Sequence, residues 1–484
     1  MSIHDVPMKP QGECLIGRVT AETIGFMPSR VWNPSPSEQH RTEPYDLPMT
    51  IQIGIYPTKE TSAKFSPAPF AVIVERDEYK ALVAVVAEPG RHCWNQVDFH
   101  AQEDGIEVKI DLEGHSNPVE IARHVRTAVI PGQPEETRHA LLARGLRQLY
   151  PMSVSTSTAP DWWLKPIYCG WGDQVSTSMW LEGPGPEPRC IAYCTQGLYE
   201  RWLRRLEAGG VPVGTVTIDH GWSPAGSWVP DTIRWPDLKG FIVRQHAAGR
   251  RVLLWIATWL WDGLPDQWCV FRDGIKLVAD PTNSEYLDYI RRQVAVLLGS
   301  DGYDADGFKI DQLSYSPNER HPCGGSRFGD TRFYEPGTRP MRLAGDGWGC
   351  ELLYRLQKTI YNAAKAAKPD ALVTSSTVHP YFHDTFDMVR LHDTGFVKNG
   401  DIMSAMKVRA DLAHATLPAK PIDTDNWISV DYAGWLKYTS NSRCIGVPCI
   451  FFAERFMLNW AAEPTTQLIP MQDLQRIAES WRRS

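Results

Sequence analysis

The sequence predicts an α/β protein in which a (β/α)8 barrel, also called a TIM barrel, follows a smaller antiparallel β-sandwich domain. The first observation is a series of short alternating segments, separated by Pro, Gly and charged turns, which is typical of antiparallel strands. The second is the alternation of apolar strands with helical patterns from Lys165 onward, which is typical of a parallel sheet. We therefore assign residues 1–150 to a sandwich-like domain with a connecting helix, 151–162 to a linker and 163–484 to the barrel.

The N-terminal strands are predicted from four alternating segments: TIQIGIY, FAVIVER, ALVAVVAE and IEVKIDL. The stretch from Trp32 to Pro48 has no clear period, so no element is assigned there. A helix is predicted from about Glu135 to Leu149, because leucines recur there at helical spacing. The Ser/Thr-rich MSVSTSTAP that follows has the composition of a linker.

The barrel is predicted from eight apolar segments with helical patterns between them. The strands begin at Lys165, Val213, Arg251, Asp306, Ala371, Met388, Lys420 and Cys444. The helices lie around 197–208, 238–248, 285–298, 350–367, 402–415, 431–438 and 474–482. Eight such units favour a (β/α)8 barrel over an open doubly wound sheet, for which no GxGxxG follows an early strand.

Composition and charge exclude several classes of function. Lys and Arg number 50 against 57 Asp and Glu, so the formal charge of -7 offers no basic field for nucleic acid. The start, MSIHDVPMKPQGE, lacks the features of a secretion signal, and no segment is long and apolar enough to span a membrane. The ten Cys form no CxxC pair, which disfavours a zinc site and a disulfide framework. We therefore expect a cytoplasmic protein without a metal or cofactor.

Tryptophan is unusually common, since 19 Trp exceed both 17 Tyr and 15 Phe. Indole rings suit ligands with an apolar face and a polar rim, as sugars have. Trp171, Trp222 and Trp255 lie in or directly after the first three predicted barrel strands, and we include them among the predicted sugar-binding residues.

Polar side chains gather at the predicted carboxyl ends of the barrel strands, where barrel enzymes carry their active sites. They are Asp219 and His220, Lys309 and Asp311, Arg390, His392 and Asp393, and Asp423 and Asp425. Strand alternation turns both Lys309 and Asp311 toward the mouth, where Asp311 beside a cation stays ionised and suits a nucleophile. Arg390 and His392 share one face, which we expect to point inward because an unpaired charge is costly against the helices.

Three segments in the right order carry a family resemblance. TVTIDHGW, GFKIDQL and VADPTNSEYLDYI resemble the DDGW, KWDMN and LDxTNPExxxY segments of glycoside hydrolase family 36, the melibiase-type α-galactosidases, whose barrel plan families 27 and 31 share. The resemblance implies that Asp311 is the nucleophile, that Asp393 of LHDTG is the acid/base, and that Asp219, Trp222 and Lys309 contact the sugar. Asp384 and Asp387 stay open as alternative acids.

The chain departs from that family at two places that bear on sugar recognition. The second Asp of DDGW is His220 here, and SSTVHPYFHD, with His379 and His383, replaces a Gly-rich stretch with its Arg. An imidazole offers one donor and one acceptor in place of a carboxylate's acceptors. We therefore expect a sugar other than plain α-galactose, or galactose held in an altered way.

The sequence thus predicts a retaining α-glycoside hydrolase acting on a small α-linked saccharide or glycoside. Retention needs two carboxyl groups about 5–5.5 Å apart, which two nearby strand ends of one barrel can supply. A non-catalytic carbohydrate-binding barrel is one alternative. A metal-dependent hydrolase using His379 and His383 is another, although Pro380 and the lack of HExxH weigh against it. Saccharide is the expected partner, and the oligomeric state stays open.

Overall fold

The structure is a computed structural model. It describes residues 70–76, 79–94, 96–102, 105–110, 118–151, 159–183, 187–258, 260–272, 274–311, 347, 349–391, 402–418, 420–427, 431–458 and 465–483, together with short strands before residue 63. The predicted site residues His392 and Asp393, and most of the predicted linker, fall outside the described residues.

The N-terminal part consists mainly of antiparallel strands. They are β1 (His4–Pro7), β2 (Glu13–Gly17), β3 (Thr23–Phe26), β4 (Asn33–Pro34), β5 (Asp46–Leu47), β6 (Thr50–Gly54), β7 (Thr61–Ser62), β8 (Ala71–Arg76), β9 (Tyr79–Ala87), β10 (Gln96–Gln102), β11 (Gly105–Ile110) and β12 (Val125–Pro131). Within the described residues they form a six-stranded sheet ordered β1-β12-β9-β8-β3-β5, a four-stranded sheet ordered β2-β11-β10-β6, and the pair β4-β7.

The four predicted segments are confirmed as strands β6, β8, β9 and β11. Buried valines from both large sheets belong to one hydrophobic cluster, among them Val83 of β9 and Val108 of β11. The packing of the two sheets as a sandwich stays a prediction, as does the domain division. The strands β10 and β12 are additional to the four predicted segments. VRTAVIP alternates only weakly, whereas QVDFHAQ alternates polar and apolar residues throughout, so its pattern does indicate the strand that was not assigned.

Helices α1 (Pro118–Arg123) and α2 (Arg138–Leu149) complete this part, and α2 confirms the predicted helix. Thr137 begins α2 by accepting a hydrogen bond from the Ala140 N–H at 3.2 Å. Gly145 lies where α2 approaches β9, and a Cβ there would come within 2.4 Å of Leu82 Cδ2. The glycine that weakens the helical pattern therefore permits close packing on the sheet.

The second part contains the barrel. Its strands are β13 (Ile167–Cys169), β14 (Thr215–Ile218), β15 (Arg251–Ala257), β16 (Cys269–Arg272), β17 (Ile275–Ala279), β18 (Gly307–Asp311), β19 (Leu372–Ser375), β20 (Met388–Arg390), β21 (Ile422–Asp423), β22 (Cys449–Ile450), β23 (Arg455–Leu458) and β24 (Thr465–Leu468). Eight of them pair in parallel in the order β21-β20-β19-β18-β15-β14-β13-β22, while β16-β17 and β23-β24 are antiparallel pairs.

A parallel bridge between Asp423 and Val447 brings the two ends of the eight-stranded sheet together, so the sheet is a nearly closed barrel. This confirms the predicted barrel and all eight predicted strands. The helices of this part are α3 (Trp171–Glu182), α4 (Gln196–Ala208), α5 (Leu238–Ala247), α6 (Ser284–Leu298), α7 (Gly349–Ala367), α8 (Ile402–Thr416), α9 (Tyr432–Asn441) and α10 (Met471–Arg483). All seven predicted helices are present, and α3 is additional.

The N-terminal part contacts the barrel through main-chain hydrogen bonds to the start of α7. The Cys350 N–H donates to the Trp94 carbonyl at 3.0 Å, and the Glu351 N–H donates to the His92 carbonyl at 2.9 Å. Gly349 has φ +54°, and a Cβ there would lie 2.1 Å from the Trp94 carbonyl oxygen. Only glycine therefore permits this close approach of the two backbone segments. The His92 ring also stacks on Tyr381 with ring centroids 3.7 Å apart.

Candidate active site

Asp311 ends β18 at the carboxyl end of the barrel. Its Oδ1 accepts a hydrogen bond from Arg390 Nη2 at 2.8 Å, and its Oδ2 accepts one from the indole Nε1 of Trp255 at 3.1 Å. The Asp311 side chain is 16% exposed, whereas that of Arg390 is 3% exposed. The carboxylate is thus held by two buried donors and still partly open to a ligand.

Arg390 ends β20 and lies between two carboxylates. Its Nη1 donates to Asp425 Oδ2 at 3.1 Å while Nη2 holds Asp311. Asp425 has φ +49°, an uncommon backbone conformation for a residue other than glycine, and its Oδ1 accepts the Trp427 N–H at 2.7 Å. The inward direction predicted for Arg390 agrees with these contacts.

Lys309 forms a second ion pair, with Asp219 rather than with Asp311. Its Nζ lies 2.7 Å from Asp219 Oδ2, and both side chains are buried. Burial opposes the charge on Lys309, but Asp219 and further neighbours, Asp311 among them, together raise the pKa of the ammonium group. The expected cation beside Asp311 is therefore supplied by Arg390. Residues two apart on a strand point the same way, yet the Lys309 side chain reaches past β15 to Asp219, directly after β14.

His220 is stacked between two indole rings. Its ring centroid lies 4.3 Å from that of Trp255, with an angle of 18° between the ring planes. The centroid of Trp171 lies 6.3 Å away, with an angle of 20° between the planes. Burial lowers the pKa of His220 to about 4, although Asp219 and Asp311 oppose the shift. The imidazole is therefore neutral at pH 7 and contributes hydrogen bonding and stacking rather than charge.

Trp222 lies behind Trp255 and is almost fully buried. Its Nε1 donates to the Trp255 carbonyl oxygen at 2.7 Å. Of the three tryptophans predicted to bind sugar, Trp255 and Trp171 flank His220, whereas Trp222 supports the main chain that carries Trp255. This contact gives Trp222 a place in the site without an open indole face.

Asp423 lies opposite Arg390 in the register of β20 and β21 and is buried. Burial and the neighbouring Asp425 carboxylate raise its pKa to about 6, against the donated Asp425 N–H and the charges of Arg390 and Lys309. The interior of the barrel therefore contains an ionisable carboxyl group, that of Asp423, as well as apolar side chains. The predicted polar strand end of β21 is thus part of the same cluster.

The two alternative acids lie apart from this cluster in the structure. Asp384 pairs with Lys358 of α7 at 2.6 Å, and Asp387 pairs with Lys365 of α7 at 2.8 Å. Asp387 also accepts the Val373 N–H at 2.9 Å at the amino end of the strands, away from the mouth. Their hydrogen bonds anchor α7, so neither is turned toward Asp311. The acid/base predicted at Asp393 lies outside the described residues.

His379 and His383 also lie apart from Asp311. The His379 ring is buried against Phe70 of the N-terminal part, with centroids 3.8 Å apart, and burial holds its pKa well below the ordinary value. His383 Nδ1 donates to the Pro380 carbonyl at 3.0 Å. The structure thus places neither with the predicted sugar-binding residues. Among the described side chains, no three of His, Cys, Asp or Glu are arranged to hold a metal ion.

Three residues of the cluster were not predicted as site residues. Cys169, at the end of β13, donates to Asp219 Oδ2 at 3.0 Å. After the end of β21, Asp425 accepts a hydrogen bond from Arg390, and the Trp427 N–H donates to Asp425. Asp425 carried a signal, since it was among the polar strand ends. Cys169 carried none, because a thiol in an apolar strand is indistinguishable from a core residue in sequence.

Fold and site together define an α/β protein whose nearly closed, eight-stranded parallel barrel carries a charged cluster at its carboxyl end. In the described part of the chain, no helix has the length and apolar character to cross a membrane. The chain matches no protein-family model and no curated protein.

Solved structures do share the fold. The chain is similar to the cycloalternan-degrading enzyme from Trueperella pyogenes, with a TM-score of 0.60 and 14% identity over 97% of this chain and 66% of that one. It is also similar to the cycloalternan-forming enzyme from Listeria monocytogenes in complex with its pentasaccharide substrate, with a TM-score of 0.54 and 12% identity over 98% of this chain and 42% of that one. The chain therefore spans between 42% and 66% of the length of these enzymes. At such identities the likeness is one of fold.

Proposed function

We propose that the chain is a retaining α-glycoside hydrolase, with Asp311 as nucleophile and Asp393 as acid/base. The observation that carries the proposal is the state of Asp311. Its side chain is 16% exposed, against 3% for Asp219 and 0% for Asp425, and each of its oxygens accepts a hydrogen bond from a buried donor. An oriented carboxylate that is still open is what attack on an anomeric carbon requires.

The reaction follows from these positions. An Asp311 oxygen attacks the anomeric carbon while Asp393 gives its proton to the departing glycosidic oxygen, so a glycosyl ester forms and the aglycone leaves. Asp393 then takes a proton from water, the water oxygen attacks the same carbon, and the ester bond to Asp311 breaks. Arg390 and Trp255 hold the carboxylate through both steps. Two inversions leave the anomeric configuration unchanged.

The experiment that tests the nucleophile is covalent trapping. A fluorinated α-glycosyl inhibitor matched to the best substrate should label the peptide that contains Asp311, and the first product seen by NMR should be the α-anomer. A label on another carboxylate would contradict the assignment of Asp311. The β-anomer as first product would contradict retention. Saccharide binding without turnover across a panel of α-linked saccharides and glycosides would favour the carbohydrate-binding barrel instead.

The acid/base needs a separate test, because Asp425 shares Arg390 with Asp311. Asp393→Ala should slow glycosides with poor leaving groups far more than nitrophenyl glycosides, which need little proton assistance. Asp425→Ala should slow both classes alike, since Asp425 acts on Arg390. The reverse pattern would transfer the acid role to Asp425, and Asp384→Ala is the matched control outside the mouth.

The sugar is proposed to differ from plain α-galactose, or to be galactose held in an altered way. Support comes from His220, a neutral imidazole in place of the carboxylate of the resembled family. The neighbours of this fold include structures of the Trueperella enzyme with isomaltose and with cycloalternan, so both belong in the panel beside aryl α-galactosides and α-glucosides. If α-galactoside is the best substrate and His220→Asp leaves the ranking unchanged, this part of the proposal is wrong.

A further inference from the structure

The carboxylate of Asp219 is enclosed by protein donors. Its Oδ2 receives Lys309 Nζ at 2.7 Å and the Cys169 thiol at 3.0 Å, and its Oδ1 receives the His220 N–H at 2.8 Å. All of these side chains are buried. Asp219 therefore has both oxygens engaged before any saccharide arrives, and its orientation is set by its neighbours.

The thiol of Cys169 touches both members of the ion pair. Besides donating to Asp219, its sulfur accepts a hydrogen bond from Lys309 Nζ at 3.4 Å. Burial and the nearby Asp219 raise the pKa of the thiol well above its ordinary value, so the group keeps the proton that it donates. The register of β13 against β14, with Cys169 opposite Thr217, directs this side chain into the barrel beside Asp219.

We infer that Cys169 is a positioning residue of the saccharide site, which fixes the Asp219 carboxylate and, through it, His220. The link to His220 is the N–H that Asp219 accepts, and the His220 ring then stacks on Trp255, whose Nε1 holds Asp311. The inference rests on the proposed function in that the mouth binds saccharide. It assigns Cys169 no contact with the sugar and no part in bond cleavage.

The chain offers a matched control in Cys449 of β22. Its thiol is buried and lines the same barrel interior as Cys169, and its residue pairs with Ile167 of β13. Within the described residues the Cys449 thiol donates no hydrogen bond, whereas Cys169 donates to Asp219. Replacing either thiol by Ala removes the same volume from the barrel interior, and only one replacement removes the hydrogen bond to Asp219.

The experiment compares Cys169→Ala, Cys169→Ser and Cys449→Ala in the full chain. Calorimetry gives the Kd for the best-bound saccharide of the panel, steady-state kinetics gives kcat and KM, and thermal unfolding checks that each variant is folded. Cys169→Ala should raise Kd and lower kcat/KM by about tenfold, the scale of one hydrogen bond to a charged group. Cys169→Ser should recover most of that loss because its hydroxyl donates, and Cys449→Ala should stay within about twofold.

Equal effects of Cys169→Ala and Cys449→Ala on Kd would overturn the inference, as would a folded Cys169→Ser that binds no better than Cys169→Ala. Failure of the proposed function looks different. A wild-type protein that binds saccharide without turnover removes the hydrolase proposal, and the Kd values still decide the role of Cys169. A wild-type protein that binds no saccharide of the panel overturns both.

Discussion

Strand β18 carries an aspartate at each end, and the two aspartates are held in different ways. Asp306, directly before the strand, is 2% exposed and accepts hydrogen bonds from His246 Nε2 at 2.7 Å and the Val252 N–H at 2.8 Å. Lys368 Nζ and Arg251 Nη1 lie 3.3 and 3.2 Å from Asp306 Oδ1. Asp311, the last residue of the strand, accepts hydrogen bonds from the Arg390 guanidinium and the Trp255 indole N–H, and its side chain is 16% exposed.

The difference separates stability from function on one strand. At the amino end of the barrel, the side-chain donors around Asp306 enclose the charge and join β15, α5 and the end of α7. At the carboxyl end, the Asp311 side chain is more exposed. Residues at the amino end of barrel strands serve stability, and those at the carboxyl end serve chemistry. Matched substitutions at the two ends should therefore have opposite readouts.

Asp311→Asn should give the largest effect. We expect turnover of the best substrate to fall by about 10⁴-fold, because an amide cannot form the glycosyl ester. The free energy of unfolding should change by less than about 1 kcal/mol, since the site is partly open. Steady-state kinetics and urea unfolding measure the two quantities. A variant that keeps a tenth of wild-type turnover would contradict the functional role of Asp311 and with it the comparison with Asp306.

Asp306→Asn should do the opposite. Removing the charge leaves Lys368, His246 and Arg251 without their common partner, and we expect a loss of about 3 kcal/mol in the free energy of unfolding. The kcat of the folded fraction should stay close to wild type. Asp304→Asn is the control, because Asp304 pairs with the same lysine but is 34% exposed. Equal destabilisation by both variants would show that enclosure of the charge is not what matters.

Arg390→Lys should fall between these extremes. A lysine has one charged nitrogen and cannot hold Asp311 and Asp425 by separate donors as the guanidinium does. We expect kcat to fall by about 10²-fold while the sugar Kd changes little. Arg251→Lys, at the other end of the barrel, should leave kcat unchanged. Comparable kcat values for wild type and Arg390→Lys would show that Asp311 needs no bridging cation.

The smallest effect is the pH dependence of stability at Asp306. Burial alone would raise the pKa of this carboxyl, but the His246 hydrogen bond, the Lys368 charge and the Val252 N–H together lower it. A folded-state pKa below the unfolded value gives stability that is present above the ordinary Asp range and is lost as pH falls through the folded value. The stability difference between wild type and Asp306→Asn should therefore be constant from pH 7 to 5 and shrink below about pH 4. Urea unfolding at pH 7, 5 and 3 tests this.

The eight barrel strands could be predicted because each is an apolar run bounded by Gly, Pro or charged residues. Helix α3 could not, since its buried positions include Asp173, Gln174 and Ser176. Asp173 is buried because it accepts the N–H groups of Ala453 and Glu454, at the far end of the chain. A hydrophobic pattern carries no trace of such a contact.

The site shows the same limit. Alternation along β18 indicates that Lys309 and Asp311 share a face, and both do belong to the mouth. Which cation meets which carboxylate depends on side-chain reach across the barrel between strands that are not adjacent in the sheet, so the pairing of Lys309 with Asp219 and of Arg390 with Asp311 needed the structure. Position on a strand is local information, and partnership between strands is not.

The contact between α7 and residues 92–94 has a consequence for how the chain is made. The first amides of a helix have no acceptor within the helix, and here two of them are satisfied by carbonyls translated long before α7 emerges from the ribosome. The N-terminal part therefore supplies hydrogen-bond acceptors for the first turn of the helix after β18. The nascent chain must keep this edge exposed until α7 arrives, so folding of the two parts is coupled in time through a contact of large sequence separation.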